Sequence, residues 1–380
     1  MDPLPYGRHC IDEDDIREVV RTLRSDWLTT GPAVEEFERA FASYTGARHA
    51  VAVANGTAAL HAAMFALGIG PGDEVIVPPL TFAATANCVV YQGATPVFAD
   101  VVPDTLLLDP ACVDKKITPR TKAIIAVDYA GQPCAYDALR GMARAHGLAL
   151  VADACHALGA TYKGRRAGAL ADLSTFSFHP VKPITTCEGG MVTTDDPDLA
   201  RRMRIFRNHG ITTDHRERAQ SGTCFYEMTD LGYNYRLSEV QCALGISQLR
   251  KLPAWVARRQ QIAQQYDRAF EAASAMRPLR TRAEVSHAYH LYVVRVVFGR
   301  DALISALREN GIGANVHYIP VHLHPYYRQR YQLRPGLCPV AEKAYEHIVS
   351  LPIFPQMTDA DVSRVTSAVE LICAVTCGQS

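Results

Sequence analysis

Leu173-Ser174-Thr175-Phe176-Ser177-Phe178 runs into His179-Pro180-Val181-Lys182-Pro183-Ile184-Thr185-Thr186-Cys187-Glu188-Gly189-Gly190 and on to Met191-Val192-Thr193-Thr194. The first six residues alternate apolar and hydroxyl side chains, the pattern of a short strand. Pro180 and Pro183 then keep the chain out of any helix. A single lysine stands between them, framed by Val181 and Ile184. Gly189-Gly190 marks a turn, and Met191 to Thr194 reads as a returning strand. A lysine held this way is fixed by its backbone and partly desolvated. Desolvation lowers an amine pKa, and the neutral amine is the nucleophile.

Taken alone, Lys182 is a loop lysine in water. A second stretch changes that reading. Leu148-Ala149-Leu150-Val151-Ala152-Asp153-Ala154-Cys155-His156-Ala157-Leu158-Gly159 is a buried strand ending on an aspartate, with a histidine three residues on. A carboxylate at the C-terminal end of a central strand, followed after one more strand by an isolated lysine, is the arrangement that pyridoxal 5′-phosphate (PLP) needs. The lysine amine bonds the cofactor aldehyde. The aspartate keeps the ring nitrogen protonated, so that the ring acts as an electron sink.

A third stretch supplies an anion site. His49 to Val53 reads as a strand, and Asn55-Gly56-Thr57-Ala58-Ala59-Leu60 turns into a helix reaching about Leu67. The free amides of a first helical turn and the helix dipole both favour a phosphate. Alone this describes any capped helix. Beside Lys182 and Asp153 it assigns Gly56, Thr57 and Ala58 to the cofactor phosphate. Gly68-Ile69-Gly70-Pro71-Gly72 looks like a dinucleotide loop but follows a helix and is broken by proline, so it reads as a helix stop.

Composition narrows the class. The chain has 380 residues, with 39 basic and 39 acidic side chains. That length suits one large α/β domain plus a smaller one. The charge balance offers nothing to nucleic acid or to an acidic membrane. No apolar run reaches the roughly 18 residues of a membrane span, and the N-terminus lacks the basic-then-apolar order of a signal peptide. Eleven cysteines without a C-x-x-C pair fit reduced thiols in a cytoplasm better than disulfides or zinc.

Strands are expected at Glu74 to Val77, Pro96 to Val101, Lys122 to Val127, Leu148 to Ala152 and Leu173 to Phe178. Helices fall between them, including Tyr136 to His146. Near-continuous apolar strands alternating with helices mean a largely parallel sheet covered on both faces, with ligands at the strand carboxyl ends. The division expected is an arm at 1–30, a large domain at 31–250 and a small α+β domain at 251–380. Pro197 to Asn208 is a helix dense in arginine, with one face toward solvent or a partner, and 210 to 228 is polar and turn-rich. A long helix starts at Ser238-Glu239, divided or kinked at Pro253, and continues from Trp255 to about Ala272. His290 to Phe298 reads as a strand, and Asp301 to Asn310 and Asp359 to about Thr376 as helices. His317, His322 and His324 share no carboxylate spacing and are interrupted by proline, so no metal is expected.

Asp153 to Gly159, Ser177 to Lys182 and Glu188-Gly189-Gly190 together resemble the signature of the DegT-type sugar-nucleotide aminotransferases, PLP enzymes of the aspartate-aminotransferase fold. The resemblance extends over nearly the whole chain. It implies that Phe82 and His156 pack on the cofactor ring and that Ser177 adds a hydroxyl to the phosphate site. Leu231-Gly232-Tyr233-Asn234-Tyr235-Arg236 resembles the family's G-x-N-Y-R motif, in which the asparagine reaches across a homodimer toward the neighbour's cofactor and substrate. Leu28-Thr29-Thr30-Gly31 resembles its L-T-x-G turn. Tyr6, Trp27, Leu28, Thr29, Asn234, His317 and Tyr318 are then the substrate positions.

The run His179 to Thr186 resembles one branch in particular, which aminates a UDP-4-keto-6-deoxy-N-acetylhexosamine on the route to pseudaminic acid. The resemblance implies L-glutamate as amino donor and 2-oxoglutarate as its product, with Lys182 carrying the proton. An aminotransferase for a different nucleotide-linked 4-keto sugar is the alternative. In the related sugar dehydratases a histidine replaces the lysine, against which Lys182 speaks. A non-catalytic regulatory homologue is opposed by Lys182, Asp153, Ser177 and Asn234 occurring together. Cys187 departs from the pattern, since relatives carry glycine there. If the site needs φ > 0, cysteine is strained by about 1–2 kcal/mol; a regular loop carries no such cost.

Overall fold

The computed structural model describes residues 2–377 apart from 214, 215, 217, 219, 220, 272, 274 and 298. The expected helix end at Ala272 and strand end at Phe298 therefore lie outside the described residues, as does part of the stretch 210 to 228. Among the described residues no helix is long and apolar enough to cross a membrane.

The apolar runs form a seven-stranded sheet. Its members are β1 (His49–Val53), β2 (Glu74–Val77), β3 (Thr95–Phe98), β4 (Thr121–Val127) and β5 (Ala149–Asp153). A small pair, β6 (Thr161–Tyr162) and β7 (Arg165–Arg166), lies outside it. The sheet is completed by β8 (Leu173–Ser177) and β9 (Gly190–Thr194). The order is β1-β9-β8-β5-β4-β2-β3. From β3 across to β8 every pairing is parallel. Only β9 runs against its neighbours on both sides. Every residue of β2 and β9 is buried, as expected for strands covered on both faces. The fold is α/β with a largely parallel sheet, as the periodicity implies.

Register decides which residues share an edge. Val127 lies opposite Asp153, Asp153 opposite Thr175, and Ser177 and Val53 both opposite Gly190. The C-terminal ends of β1, β4, β5 and β8 therefore line up. Close approach there requires glycine at two positions. A Cβ at Gly190 would lie 2.3 Å from the Asn55 carbonyl oxygen, and one at Gly56 2.8 Å from the Ser177 Cβ.

A second hydrophobic core gathers Ile262, Tyr266, Phe270, Val294, Leu307, Val349 and Val365. It sits on a three-stranded sheet in which β12 (Tyr292–Val296) lies between β10 (Met276–Pro278) and β13 (Ile348–Leu351); β11 (Val285–Ser286) pairs instead with β6. One helix, Glu239–Phe270, serves both cores. Cys242, Ile246, Leu249 and Leu252 enter the first, and Ile262 to Phe270 the second. The helix passes through Pro253 without dividing. A proline inside a helix costs about 3 kcal/mol, and burial of Leu252 and Val256 on either side offsets it.

On the arginine-rich helix, Pro197–Phe206, Arg201 is exposed, as expected of one face, whereas Arg204 turns inward. Arg204 donates to Glu38 at 3.1 Å, and Arg207, just past the helix end, also pairs with Glu38 and donates to the Ala52 carbonyl at 2.6 Å. Burial pushes the Glu38 carboxyl up, but the two guanidiniums outweigh it and hold it below the usual range. These arginines fasten the helix to the strand edge.

Candidate active site

The Lys182 loop closes on itself. The Phe178 amide donates to the Gly189 carbonyl at 2.8 Å, and the Phe178 carbonyl accepts from the Thr186 amide at 3.0 Å and from Thr185 Oγ1 at 2.9 Å. The Lys182 amide donates to the His179 carbonyl at 2.9 Å. Ile184 is 1% exposed and anchors the far side. Gln241 on the long helix donates to the Glu188 carbonyl at 2.7 Å, and Gln248 Oε1 accepts from the Thr185 amide at 3.3 Å. The amine of Lys182 is lowered by burial, while Cys155 and Asp153 act to raise it. Cys187 has φ +67°, so the strained alternative is the one the loop adopts.

Asp153 ends β5 and is buried. Its Oδ2 accepts from Thr85 Oγ1 at 2.7 Å, and Thr85 lies 2.7 Å from Thr81 Oγ1. Its Oδ1 accepts from the Cys155 amide at 3.3 Å. Thr85 sits in the helix Ala84–Tyr91, which follows β2. Asp153 is thus oriented by a residue that no local motif announces.

The helix Gly56–Ala66 begins where β1 ends. Asn55 caps it, accepting from the Ala58 amide at 2.8 Å. The Ala58 amide, expected at the cofactor phosphate, donates to this cap. Among the described residues the Gly56 and Thr57 amides, in the first turn, have no acceptor in the chain. Ser177 lies directly against Gly56. The Ala54 amide donates to the Tyr235 carbonyl at 2.8 Å, joining this turn to the Asn234 segment.

Histidines and tyrosines form the other wall. His156 is 5% exposed, and its Nε2 lies 3.1 Å from the Tyr318 hydroxyl. Burial, the Lys182 charge and His317 hold the imidazole well below its usual range. The Phe82 ring is 61% exposed and 6.2 Å from that of Tyr318. His317 is turned away through its Nδ1, 2.8 Å from Ser350 Oγ, and burial with the Lys182 charge lowers it to about 4. Its carbonyl accepts from the Tyr129 hydroxyl. Tyr6 packs on the His317 ring at 5.4 Å, and the adjacent Gly7 approaches Val181 beside the lysine. Tyr318 thus spends its hydroxyl on His156, and His317 its Nδ1 on Ser350. His322 pairs with Glu342 at 2.8 Å.

Trp27, Leu28, Thr29 and Asn234 belong to two further segments. Leu28 is 52% exposed and its carbonyl accepts from the Glu239 amide at 3.1 Å. Thr29 bridges to Ser238, and Arg216 lies over the Trp27 ring at 5.9 Å. Buried Glu239 holds the following turn, accepting from the amides of Gly31, Ala33 and Val34. Asn234 is exposed and pairs through its backbone with Asn208.

The sequence model of the DegT/DnrJ/EryC1/StrS aminotransferase family matches residues 9–370. The chain belongs to this family. The spore coat polysaccharide biosynthesis protein SpsC of Bacillus subtilis is 44% identical over 373 residues, 96% of each chain. Among solved structures, the putative sugar aminotransferase Spr1654 of Streptococcus pneumoniae in its PMP-form superposes with a TM-score of 0.92 at 34% identity, covering 98% of this chain and 99% of that one. PseC of Helicobacter pylori, an aminotransferase involved in the biosynthesis of pseudoaminic acid, does so with a TM-score of 0.92 at 32% identity, covering 98% and 100%. The protein is a sugar aminotransferase, and its cofactor is PLP.

This DegT-family chain fits the cofactor on its own geometry. A desolvated amine, a buried carboxylate at a strand end, two unclaimed first-turn amides and a serine hydroxyl share one edge of the sheet. Sequence reasoning missed Thr85, Tyr129 and His290. Thr85 lies 68 residues from Asp153, and no spacing rule spans the β2–β4–β5 order that brings them together.

Proposed function

We propose that the chain transfers an amino group from L-glutamate to carbon 4 of a UDP-4-keto-6-deoxy-N-acetylhexosamine, in pseudaminic acid biosynthesis. The observation that carries the transamination is the depressed amine of Lys182 beside Asp153. The substrate rests on the His179–Thr186 run and on the likeness to PseC. SpsC, at the higher identity of 44%, favours a second reading in which a different nucleotide-linked 4-keto sugar is the acceptor.

When bound, PLP withdraws electrons from the carbon bearing the amino nitrogen. Lys182 would hold the cofactor and, once released, would move the donor's α-proton to the C4′ carbon of the cofactor, then make the same transfer in reverse, from C4′ to carbon 4 of the sugar, in the second half. Asp153, oriented by Thr85, carries the charge that keeps the ring nitrogen protonated. Gly56 and Thr57 amides with the Ser177 hydroxyl hold the phosphate. Phe82 and His156 face the ring, and Tyr6, Trp27, Leu28, Thr29, His317 and Tyr318 border the sugar nucleotide. Asn234 serves the site of a second copy, so the working unit is a homodimer with shared sites. Phe225, Met228 and Leu231, at 70%, 65% and 75% exposure, support that pairing. An arm to residue 30, a large unit to about 250 and a small unit beyond it make up each copy. The nine cysteines whose side chains are described are all free, which supports a cytoplasmic setting.

Absorption spectra test this. The holoenzyme should lose its PLP band with L-glutamate and regain it with the UDP-4-keto sugar, yielding the β-L-altro 4-amine by NMR. A response to glutamate with none to that sugar removes the pseudaminic assignment and leaves the second reading. Asp153→Ala within a few-fold of wild type would show that Asp153 is misassigned.

A further inference from the structure

Behind His156 stands a second imidazole that no role above uses. The His290 and His156 ring centroids are 4.4 Å apart, inclined at 47°. Each ring is 5% exposed, and each has a buried Nδ1 without a hydrogen-bond partner among the described residues. The backbone around His290 is pinned on both sides. The Ala288 amide donates to the Gly131 carbonyl at 3.0 Å, and the Leu291 amide to the Ala130 carbonyl at 3.1 Å. Arg259 clamps the same segment from the long helix. Its Nη1 donates to the carbonyls of Ile353 at 2.7 Å, Tyr289 at 3.1 Å and His290 at 3.5 Å.

Arg259 is 2% exposed, and its contacts are carbonyls rather than carboxylates. A buried cation of this kind repels further positive charge nearby. The groups facing the imidazole pair are Lys182, Arg259, His317 and the Tyr318 hydroxyl. Burial and these neighbours keep both imidazoles uncharged. An imidazolium here would oppose both the protonated ring nitrogen of PLP and the Lys182 amine.

We propose that His290, clamped by Arg259 and the Gly131 turn, is a positioning residue that holds His156 in one orientation against the PLP ring. The inference rests on the placement of His156 at that ring.

The test uses full-length protein loaded with PLP and compares wild type, His156→Ala, His290→Ala and His290→Phe. The readouts are PLP affinity and the visible circular dichroism of bound PLP. His290→Ala should weaken PLP binding about tenfold, the scale on which a bound group suffers when a residue supporting its ligand is lost. It should also reduce the dichroism. His290→Phe, which keeps the ring contact, should restore affinity and dichroism. If His290→Ala does not fold, His290→Gln takes its place with the same expectations. Wild-type dichroism and affinity in His290→Ala, or a Phe variant as impaired as the Ala variant, would overturn the inference. His156→Ala with an unchanged cofactor signal would instead remove the placement of His156 on which it rests.

Discussion

The Lys182 loop and the segment from Phe225 to Tyr233 are both irregular, yet they treat their apolar groups in opposite ways. The loop buries Pro183 and Ile184 and satisfies its backbone through Phe178, Thr185 and Thr186. The segment leaves Phe225, Tyr226, Met228, Leu231 and Tyr233 between 40% and 75% exposed. Its described backbone is tied mainly through the Ile211–Met228 and Asn208–Asn234 bridges and the Tyr233 pairings with Phe206 and His209. Apolar side chains gathered on a surface in this density mark an interaction face. The difference teaches that the residues around Lys182 are brought together within one chain, while the segment from Phe225 to Tyr233 leaves its apolar side chains uncovered.

The largest effect belongs to the closed region. Lys182→Ala should cut turnover by at least about 10⁴-fold, because nucleophile and proton carrier leave together. Measurable steady-state transamination by that variant would break the comparison at its firmest point.

Next comes a second carboxylate on the same edge. Asp128 is fully buried, accepting from the Cys134 amide and the Tyr136 hydroxyl through Oδ1. Burial raises its carboxyl to about 7, against about 3.9 in an unfolded chain. The folded protein therefore holds a proton that the unfolded chain releases, and stability falls as pH rises from about 4 to about 7. Asp128→Asn does not titrate. Its stability relative to wild type should improve across that window by on the order of 3 kcal/mol. Urea unfolding at both ends of the window checks it; a pH-independent difference would contradict the assignment.

The open region gives a smaller effect. Leu231→Lys should weaken self-association by about 2 kcal/mol, roughly thirtyfold in dissociation constant. Sedimentation of wild type and variant decides it, and an unchanged assembly would place the partner elsewhere. The smallest effect returns to the loop. Cys187→Gly should relieve the positive φ and raise stability by about 1 kcal/mol, net of glycine's greater unfolded-state freedom. A lower denaturation midpoint would mean that the thiol makes a contact worth more than the strain.

Much of this molecule is legible in one dimension. Continuous apolar runs such as Ala123 to Val127 and Leu150 to Ala152 identify buried parallel strands because no half-exposed strand tolerates them. Asp153 and Lys182 are legible for the same reason, since each follows a strand whose end is marked by a polar residue or a proline. Arg204 and Arg207 were not, because an amphipathic helix rich in arginine looks the same whether its arginines meet water or one buried Glu38. Pro253 left a kink or a division open, because its local cost is visible in sequence and the burial that keeps the helix undivided is not.

By itself, the sequence determined the strands, the turn that isolates Lys182, the carboxylate at the end of β5 and the capped helix start at Asn55, because each depends on residues within a few positions of one another. Only the tertiary structure decided that Thr85 orients Asp153, that Ser177 lies against Gly56 and that His290 and Arg259 stand behind His156. Those contacts depend on strand order and on the packing of one long helix against both cores, and no local pattern encodes either.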